Sequence, residues 1–478
     1  MWHLTKIPKI LHVYWGGGNL SKLRYLTIET FLKYNPDWEI KFYYPNTSIN
    51  THTWATHEQK YNENWTDWRS QINGEIVHMI NVNFDDVMSN MSDVHRSDNL
   101  RWRLLSAEGG VWADMDILFF KSMDELLINK PENKDKETVV CINHYGHSIG
   151  FMMGCPNNST FEKMAVASLD HFSAKEYQCM GSILFNKLFP TVESIPNAVN
   201  LGMEAVYYHD ASNVAKIYSS LSVPKDIKGA IGVHWYAGHK LSGDFLISTK
   251  GGEYNIPNNM LGRLISEHTT SVIKDKFTNI YQTNYWKSSE TRSGAGSEVK
   301  ATIHIIKRLP CLFKKYNIRG LIDLGCGDFN WIRRAINPLD LYLGIDIVDD
   351  LISINNESYA NDKIRFKQGL VQNFFEEYND NRYNAVLLGD VLVHLSFDDI
   401  SMVLDNLSKS KIKFMLATHF TEHIKNNNIK TGDWRCLNMT KEPFNLSLPL
   451  EGIPYEEPYN IGYGTQNDKT LSLWELQK

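Results

Sequence analysis

No stretch of this 478-residue chain approaches the roughly 20 consecutive apolar residues of a membrane-spanning helix, so no transmembrane segment is expected. Peripheral attachment to a membrane stays open. The opening residues, MWHLTKIPKILHVYW, lack a charged region followed by a long apolar core, so no secretory leader is expected. Cysteine is sparse: Cys141, Cys155, Cys179, Cys311, Cys326 and Cys436 form no CxxC pair and no zinc-like spacing. They read as reduced, mostly buried thiols of a cytoplasmic protein. A long Lys/Arg cluster is also missing, and the net charge is −6, which argues against an electrostatic nucleic-acid binder. What is plentiful is ordinary globular material, 42 % hydrophobic and 22 % charged, enough for more than one core. Aromatic residues reach 12 %, with 13 Trp; large cores account for this as readily as sugar- or base-binding clefts do.

Two blocks show a β-α alternation. In the first, KILHVYW reads as a strand closed by Gly16, Gly17 and Gly18. LSKLRYLTIETFLKYN reads as a helix stopped by Asn35-Pro36, and WEIKFYY as the next strand. This is a β-α-β unit with a parallel crossover. The region 46–75 is ambiguous, KPENKDKET at 130–138 reads as a surface loop, and strand signals return at TVVCINH and IGVHWYA. In the second block, RGLIDLGCGD, YLGIDIV, KIRFKQG, YNAVLLGDV and KIKFMLATHF read as strands, with a helix at FDDISMVLDNLSK. No internal repeat links the blocks. The expectation is two unlike α/β domains, 1–262 and 285–478, joined by a helical connector over 263–284.

The stretch SDNLRWRLLSAEGGVWADMDILFF, residues 97–120, carries the first candidate chemistry. Leu100 and Leu104 lie i,i+4, with Ala107 one turn on, which predicts an amphipathic helix stopped by Gly109 or Gly110. VWADMDILFF then reads as a strand, which puts Asp114 and Asp116 on one face and Met115 on the other. Two like charges on one face repel unless a cation or water reaches them. A hard divalent ion, Mg²⁺ or Mn²⁺, prefers carboxylate oxygens and keeps positions open for phosphate. Asp98 and Arg101, three apart, share a helix face. Their two readings are a surface ion pair and a pair pointing at a polar ligand in the same cleft.

IPKILHVYWGGG followed by SDNLRWRLLSAEGGVWADMDI resembles the DXD-containing sugar transferases of glycosyltransferase family 32, and the catalytic domains of the large clostridial glucosylating toxins that share the pattern. The resemblance spans about residues 5–245. It implies a GT-A fold, a nucleotide-sugar donor, a divalent metal, and transfer with retention at the anomeric carbon. It implies that Asp116 ligates the metal and that Asp114 contacts the donor and, through water, the metal. Asp98 and Arg101 would hold donor hydroxyls and the diphosphate side, and Trp15 would stack on the nucleobase. A core Trp beside Tyr14 is the competing role for Trp15. The family's closing Ser-Trp is absent; GVHWYAGHKLSGD offers His234, Trp235, His239 and Ser242, of which His234 is favoured as a further metal ligand.

LIDLGCGDFNW places an apolar strand before Gly325-Cys326-Gly327, whose glycines admit close approach of a ligand. Asp323 ends that strand and Asp346 ends the next, about where ribose hydroxyls would be met. A dinucleotide fingerprint needs G-x-G-x-x-G/A, and Asn330 occupies its third position, which disfavours NAD. SGAGS, DLGCGDFNW, GIDIV, GDVLVHLS, THF and GDWRCLN together resemble class I S-adenosylmethionine methyltransferases over about 285–478. The resemblance implies a Rossmann-like fold. It implies that Gly325 and Gly327 pass under the methionine part of the cofactor, that Asp346 binds ribose, and that Asp323, Arg292 and Asp390 border the site. His394, beside Asp390, is a candidate general base for a hydroxyl acceptor; capping the helix start at LSFDD is its equal alternative.

The expected architecture is therefore a GT-A-type nucleotide-sugar-binding α/β domain followed by a Rossmann-like class I methyltransferase domain. The expected function is bifunctional glycan modification: metal-dependent retaining sugar transfer to a glycan acceptor, and O-methylation of a sugar hydroxyl, in polysaccharide, lipopolysaccharide or glycoprotein glycan synthesis. The alternatives are a protein-directed glycosyltransferase with an accessory methyltransferase, and a chain in which one domain is a degenerate binding module.

Overall fold

The computed structural model describes residues 7–46, 58–72, 74–84, 88–89, 91–124, 135–143, 146–253, 256–373, 381–455, 459–460, 465–466 and 468–476. The loop expected at 130–138 lies largely outside them. The chain divides into two compact units, Met1–Glu267 and His268–Lys478. The helix Met260–Thr283 contains the division. Among the described residues no helix is long and apolar enough to cross a membrane.

The first unit is built on a seven-stranded mixed sheet. Its order is Val77–Val82, Glu39–Pro45, Ile10–Tyr14, Gly110–Ala113, Gly146–Gly154, Thr138–Asn143, Ala198–Asn200. The first four strands are parallel, and Gly146–Gly154 runs antiparallel to Gly110–Ala113. The β-α-β unit forms as its sequence predicts. Ser21 caps the helix Lys22–Tyr34 by accepting from Arg24 N–H, and Asn35 ends it. That helix buries Leu23, Leu26, Ile28 and Phe31. Chain order reverses between Ile10–Tyr14 and Gly110–Ala113. In an open parallel sheet such a reversal leaves a crevice beyond the strands' carboxyl ends.

One expectation is corrected. VWADMDILFF is not a continuous strand: Gly110–Ala113 ends before Asp114, Asp114–Asp116 make a turn, and Ile117–Phe119 pairs with Gly232–His234 in a separate two-stranded sheet. Alternation along a strand therefore does not place the two carboxylates. The turn leaves the Asp114 side chain 35 % exposed and that of Asp116 only 9 %.

The second unit carries a seven-stranded sheet in the order Ile364–Gln368, Leu341–Asp346, Gly320–Leu324, Ala385–Leu388, Phe414–Phe420, Lys469–Glu475, Glu451–Pro454. The first five strands are parallel and the last two pair antiparallel. All five parallel strands stand where apolar runs predict them. Gly320–Leu324 and Ala385–Leu388 are buried throughout, as a sheet covered on both faces requires. Here the chain order reverses between these two strands, so a second crevice opens where Gly325 follows one and Asp390 follows the other.

Candidate active sites

The first crevice collects most of the residues singled out in the N-terminal block. Trp15 follows Ile10–Tyr14, and Asp114 follows Gly110–Ala113. The helix Asp93–Ala107, capped by Ser92, brings Asp98 and Arg101 beneath them. One cleft is lined by Trp15, Arg24, Asp98, Arg101, Asp114 and Asp116. Asp98 and Arg101 are each 3 % exposed, so the surface ion-pair reading is excluded. Arg101 Nη2 lies 2.9 Å from Asp114 Oδ1 and 3.4 Å from Asp98 Oδ1. Its Nε and Nη1 are buried without a partner. A buried guanidinium with idle donors is poised for an anionic or hydroxyl-rich ligand. Burial raises Asp98 to about 7, with Asp114 adding repulsion and Arg101 opposing.

Asp116 receives the Ala237 N–H at 2.8 Å on Oδ2, while Oδ1 lies 3.0 Å from His234 Nε2. Burial alone would push this carboxyl up; the His234 and Arg24 charges and the Ala237 N–H outweigh it and hold it at about 2. Single ligating atoms of Asp114, Asp116 and His234 fall within 4.8 Å of one another. Asp116 Oδ1 makes no hydrogen bond of good geometry. Two carboxylates and an imidazole at this spacing, one oxygen left over, fit a divalent cation. His234 fits less simply. Its Nδ1 accepts Tyr236 N–H at 3.2 Å, so the neutral ring carries its proton on Nε2. Ligation through Nε2 requires that long bond to open. His239 is exposed and caps the helix Lys240–Ser248.

Four residues here were missed by sequence reasoning. Arg24 stands with Cζ 4.7 Å from the Trp15 ring and 5.1 Å from the Trp235 ring, and is ion-paired to buried Glu58 at 2.5 Å. Trp15 thus has a cation against its ring and its indole N–H on Gly18 O at 3.0 Å. Asp93 accepts Tyr14 O–H at 3.0 Å, its other oxygen is buried without a partner, and burial lifts it to about 6. The Tyr207 hydroxyl is buried with no hydrogen-bond partner. A Cβ placed on Gly150 would meet it at 3.0 Å and Asp114 Oδ2 at 2.8 Å. Nothing local marks these four, because three come from separate helices, Lys22–Tyr34, Glu58–Tyr61 and Asp93–Ala107, and Tyr207 from a distant segment.

The second crevice collects the C-terminal candidates. Gly325 and Gly327 both have positive φ, +75° and +54°. Asp346 accepts Gly327 N–H and Val348 N–H, each at 3.1 Å, so it braces the turn from the next strand. Burial raises its pKa despite those bonds. Asp323 lies deeper: its carboxylate accepts Tyr342 O–H at 2.6 Å, and burial lifts it to about 7. Arg292 has an exposed side chain, but its backbone N–H donates to Asp328 Oδ2 at 2.9 Å. Asp328, not singled out beforehand, also accepts the Thr291 and Ser293 hydroxyls at 2.6 and 3.2 Å, folding SGAGS onto the glycine turn. These glycines and carboxylates at a switch point fit a nucleoside-bearing cofactor.

Across the crevice, Asp390 sits at φ +57° and pairs with buried Lys469 at 2.7 Å. Lys469, from the strand Lys469–Glu475, was not foreseen. His394 lies on a single helical turn, Leu392–His394, and packs against the Trp286 ring at 5.3 Å. Its Nδ1 is 2.7 Å from Asp433 O. Ser396, not His394, caps the helix Phe397–Lys409, so the capping alternative for His394 is excluded. Burial lowers the His394 pKa, with Asp433 O and Asp390 opposing, which favours the neutral ring.

Residues 22–132 match a family model described as "Glycosyltransferase sugar-binding region containing DXD motif". Among solved structures the chain is similar to "PaToxG Glycosyltransferase", at 19 % identity over 38 % of this chain and 67 % of that one, TM-score 0.28. It is similar to the methyltransferase domain of bacterial CtHen1-CN, at 12 % identity over 37 % of this chain and 100 % of that one, TM-score 0.28. It is also similar to magnesium protoporphyrin IX methyltransferase (ChlM) from Synechocystis PCC 6803 with bound SAM, at 12 % identity over 43 % and 95 %, TM-score 0.30. No curated protein matches the chain.

Proposed function

We propose that this chain is a two-site glycan-modifying transferase. The N-terminal site moves a sugar, with retention, from a nucleotide-sugar to a glycan hydroxyl. The C-terminal site methylates a sugar hydroxyl at the expense of S-adenosylmethionine. The observation that carries the reading is the meeting of Asp98, Arg101, Asp114 and Asp116 in one cleft at the first switch point. The DXD family match over residues 22–132 supports it independently.

In the N-terminal site Asp114 and Asp116, with His234 adjacent, would hold Mn²⁺ or Mg²⁺. Such an ion supplies charge neutralisation for a departing diphosphate. The chain's own work is positioning. Trp15 offers an indole face toward the base end. Arg101 turns two unpaired N–H groups toward the polar part of the donor, and Asp98 and Asp114 hold its guanidinium in place. In a low-dielectric cleft, donors fixed in advance are worth more than donors in water.

In the C-terminal site the glycine turn, Asp346 and the SGAGS loop would hold the cofactor beside His394. Bound there, S-adenosylmethionine would supply the methyl group for an acceptor oxygen, and His394 Nε2 would take the hydroxyl proton. A neutral imidazole with a bare Nε2 suits that task. The test is a screen of nucleotide-sugars for Mn²⁺-dependent hydrolysis, run beside calorimetric titration with S-adenosylmethionine. A chain that hydrolyses no donor and binds no S-adenosylmethionine would sink the reading.

A further inference from the structure

The His394 turn is held by a segment about 40 residues further along the chain. Residues 426–438 form an irregular strap across it. Gly432 N–H donates to His394 O at 2.7 Å and Arg435 N–H to Val393 O at 3.1 Å. Thr431 Oγ1 accepts Ser396 N–H at 2.9 Å, and Asn428 Oδ1 accepts Phe397 N–H at 2.8 Å. Arg435 stands at the centre, 8 % exposed. Its Nη1 donates to Leu392 O at 2.9 Å, its Nη2 to Leu395 O at 2.7 Å, and its Nε to Asn427 O at 3.1 Å.

Those bonds use the geometry of the guanidinium, whose donors lie in one rigid plane. Two of them grip carbonyls at the two ends of the 392–395 turn; the third grips the strap. Among the described residues no carboxylate pairs with Arg435. Its other charge-stabilising neighbour is the Phe397 ring, 5.5 Å from Cζ; burying a cation without a carboxylate is costly, so the side chain has to do something a neutral donor would not. What the strap presents to His394 is one carbonyl oxygen, that of Asp433, 2.7 Å from Nδ1. A carbonyl only accepts, so Nδ1 carries the hydrogen, and a neutral ring then has a bare lone pair on Nε2. The Trp286 ring packs against the imidazole and limits its rotation.

We propose that Arg435 is the positioning residue of the methyl-transfer site: by clamping the strap to the His394 turn it fixes His394 as the Nδ1–H tautomer and leaves Nε2 as the proton acceptor. The chemical use of that tautomer rests on the methyl-transfer reading; the tautomer itself does not.

The experiment is nitrogen NMR on the full chain with ¹⁵N-labelled histidine, using His394→Gln to assign the His394 signals. The unaltered chain shows two well-separated nitrogen signals, protonated Nδ1 and bare Nε2. Arg435→Met draws them toward a common value as the tautomers exchange, with circular dichroism and S-adenosylmethionine affinity unchanged. Arg435→Lys, which keeps the cation but loses the planar fork, gives an intermediate pattern and serves if Arg435→Met does not fold. A split pattern preserved in folded variants overturns the proposal. Titration of the unaltered chain with S-adenosylmethionine reads the methyl-transfer assignment separately, so the two ideas fail independently.

Discussion

Gly327→Ala is the sharpest probe of the C-terminal site. Gly327 has φ +54°, where an L-residue costs about 1–2 kcal/mol. A Cβ there would overlap Ser293 Oγ. That hydroxyl accepts Asp328 N–H at 3.0 Å and donates to Asp328 Oδ1 at 3.2 Å. Ser293 is a short side chain on a bonded loop, so the loop must move and give up those bonds, each about 0.5–1.5 kcal/mol. The local loss is then about 2–5 kcal/mol, which, if the loop must close over the cofactor, corresponds to a roughly 30- to 4,000-fold drop in S-adenosylmethionine affinity. Isothermal titration measures it. Circular dichroism confirms the fold, and nucleotide-sugar hydrolysis by the other unit serves as an internal control. A folded Gly327→Ala chain that binds the cofactor as tightly as the unaltered one would refute the turn as its cradle.

Three further predictions concern other parts of the chain. Asp116→Asn removes an ionised, buried carboxylate from the DXD turn; Mn²⁺-dependent hydrolysis of the donor should fall to background while S-adenosylmethionine binding stays unchanged, and residual metal-dependent hydrolysis near the original rate would contradict this. Arg24→Met takes the main cation from the Glu58 carboxylate, which is 4 % exposed, and should cost about 3–5 kcal/mol, read as a lowered first melting transition by calorimetry. Asp323, lifted to about 7 by burial, keeps its proton in the folded state up to that pH, whereas the unfolded chain releases it near about 3.9. Its contribution to stability is complete below about pH 4 and lost as pH rises to about 7. Asp323→Asn cannot titrate, so its melting temperature should gain on that of the unaltered chain between pH 4 and pH 8; a constant difference would show that Asp323 is not perturbed.

Much of this protein is legible locally. The alternation of apolar strands with amphipathic helices, the Ser21 and Ser92 caps and the positive-φ glycines at 325 and 327 are decided by neighbours within a few residues. So is the presence of a helix carrying Asp98 and Arg101 before two glycines. These features follow from backbone sterics and burial periodicity, which act over one or two turns of chain. They sufficed to expect two α/β domains and a carboxylate pair near the end of a strand.

Other features were decided only by folding. Strand alternation does not bring Asp114 and Asp116 together; a turn between two sheets does, because Ile117–Phe119 pairs with Gly232–His234, more than a hundred residues away. Arg24, Glu58 and Asp93 reach the same cleft from separate segments, Tyr207 packs beside it against the His234 ring, and no local pattern distinguishes them from helix-face or core residues. Asp323 is held by Tyr342, a residue on the next strand. The His394 ring is oriented by Asp433, 39 positions later. Which side chains share a low-dielectric space, and so which charges are shifted or left without partners, depends on contacts between distant segments. Residue order allows those contacts; packing selects them.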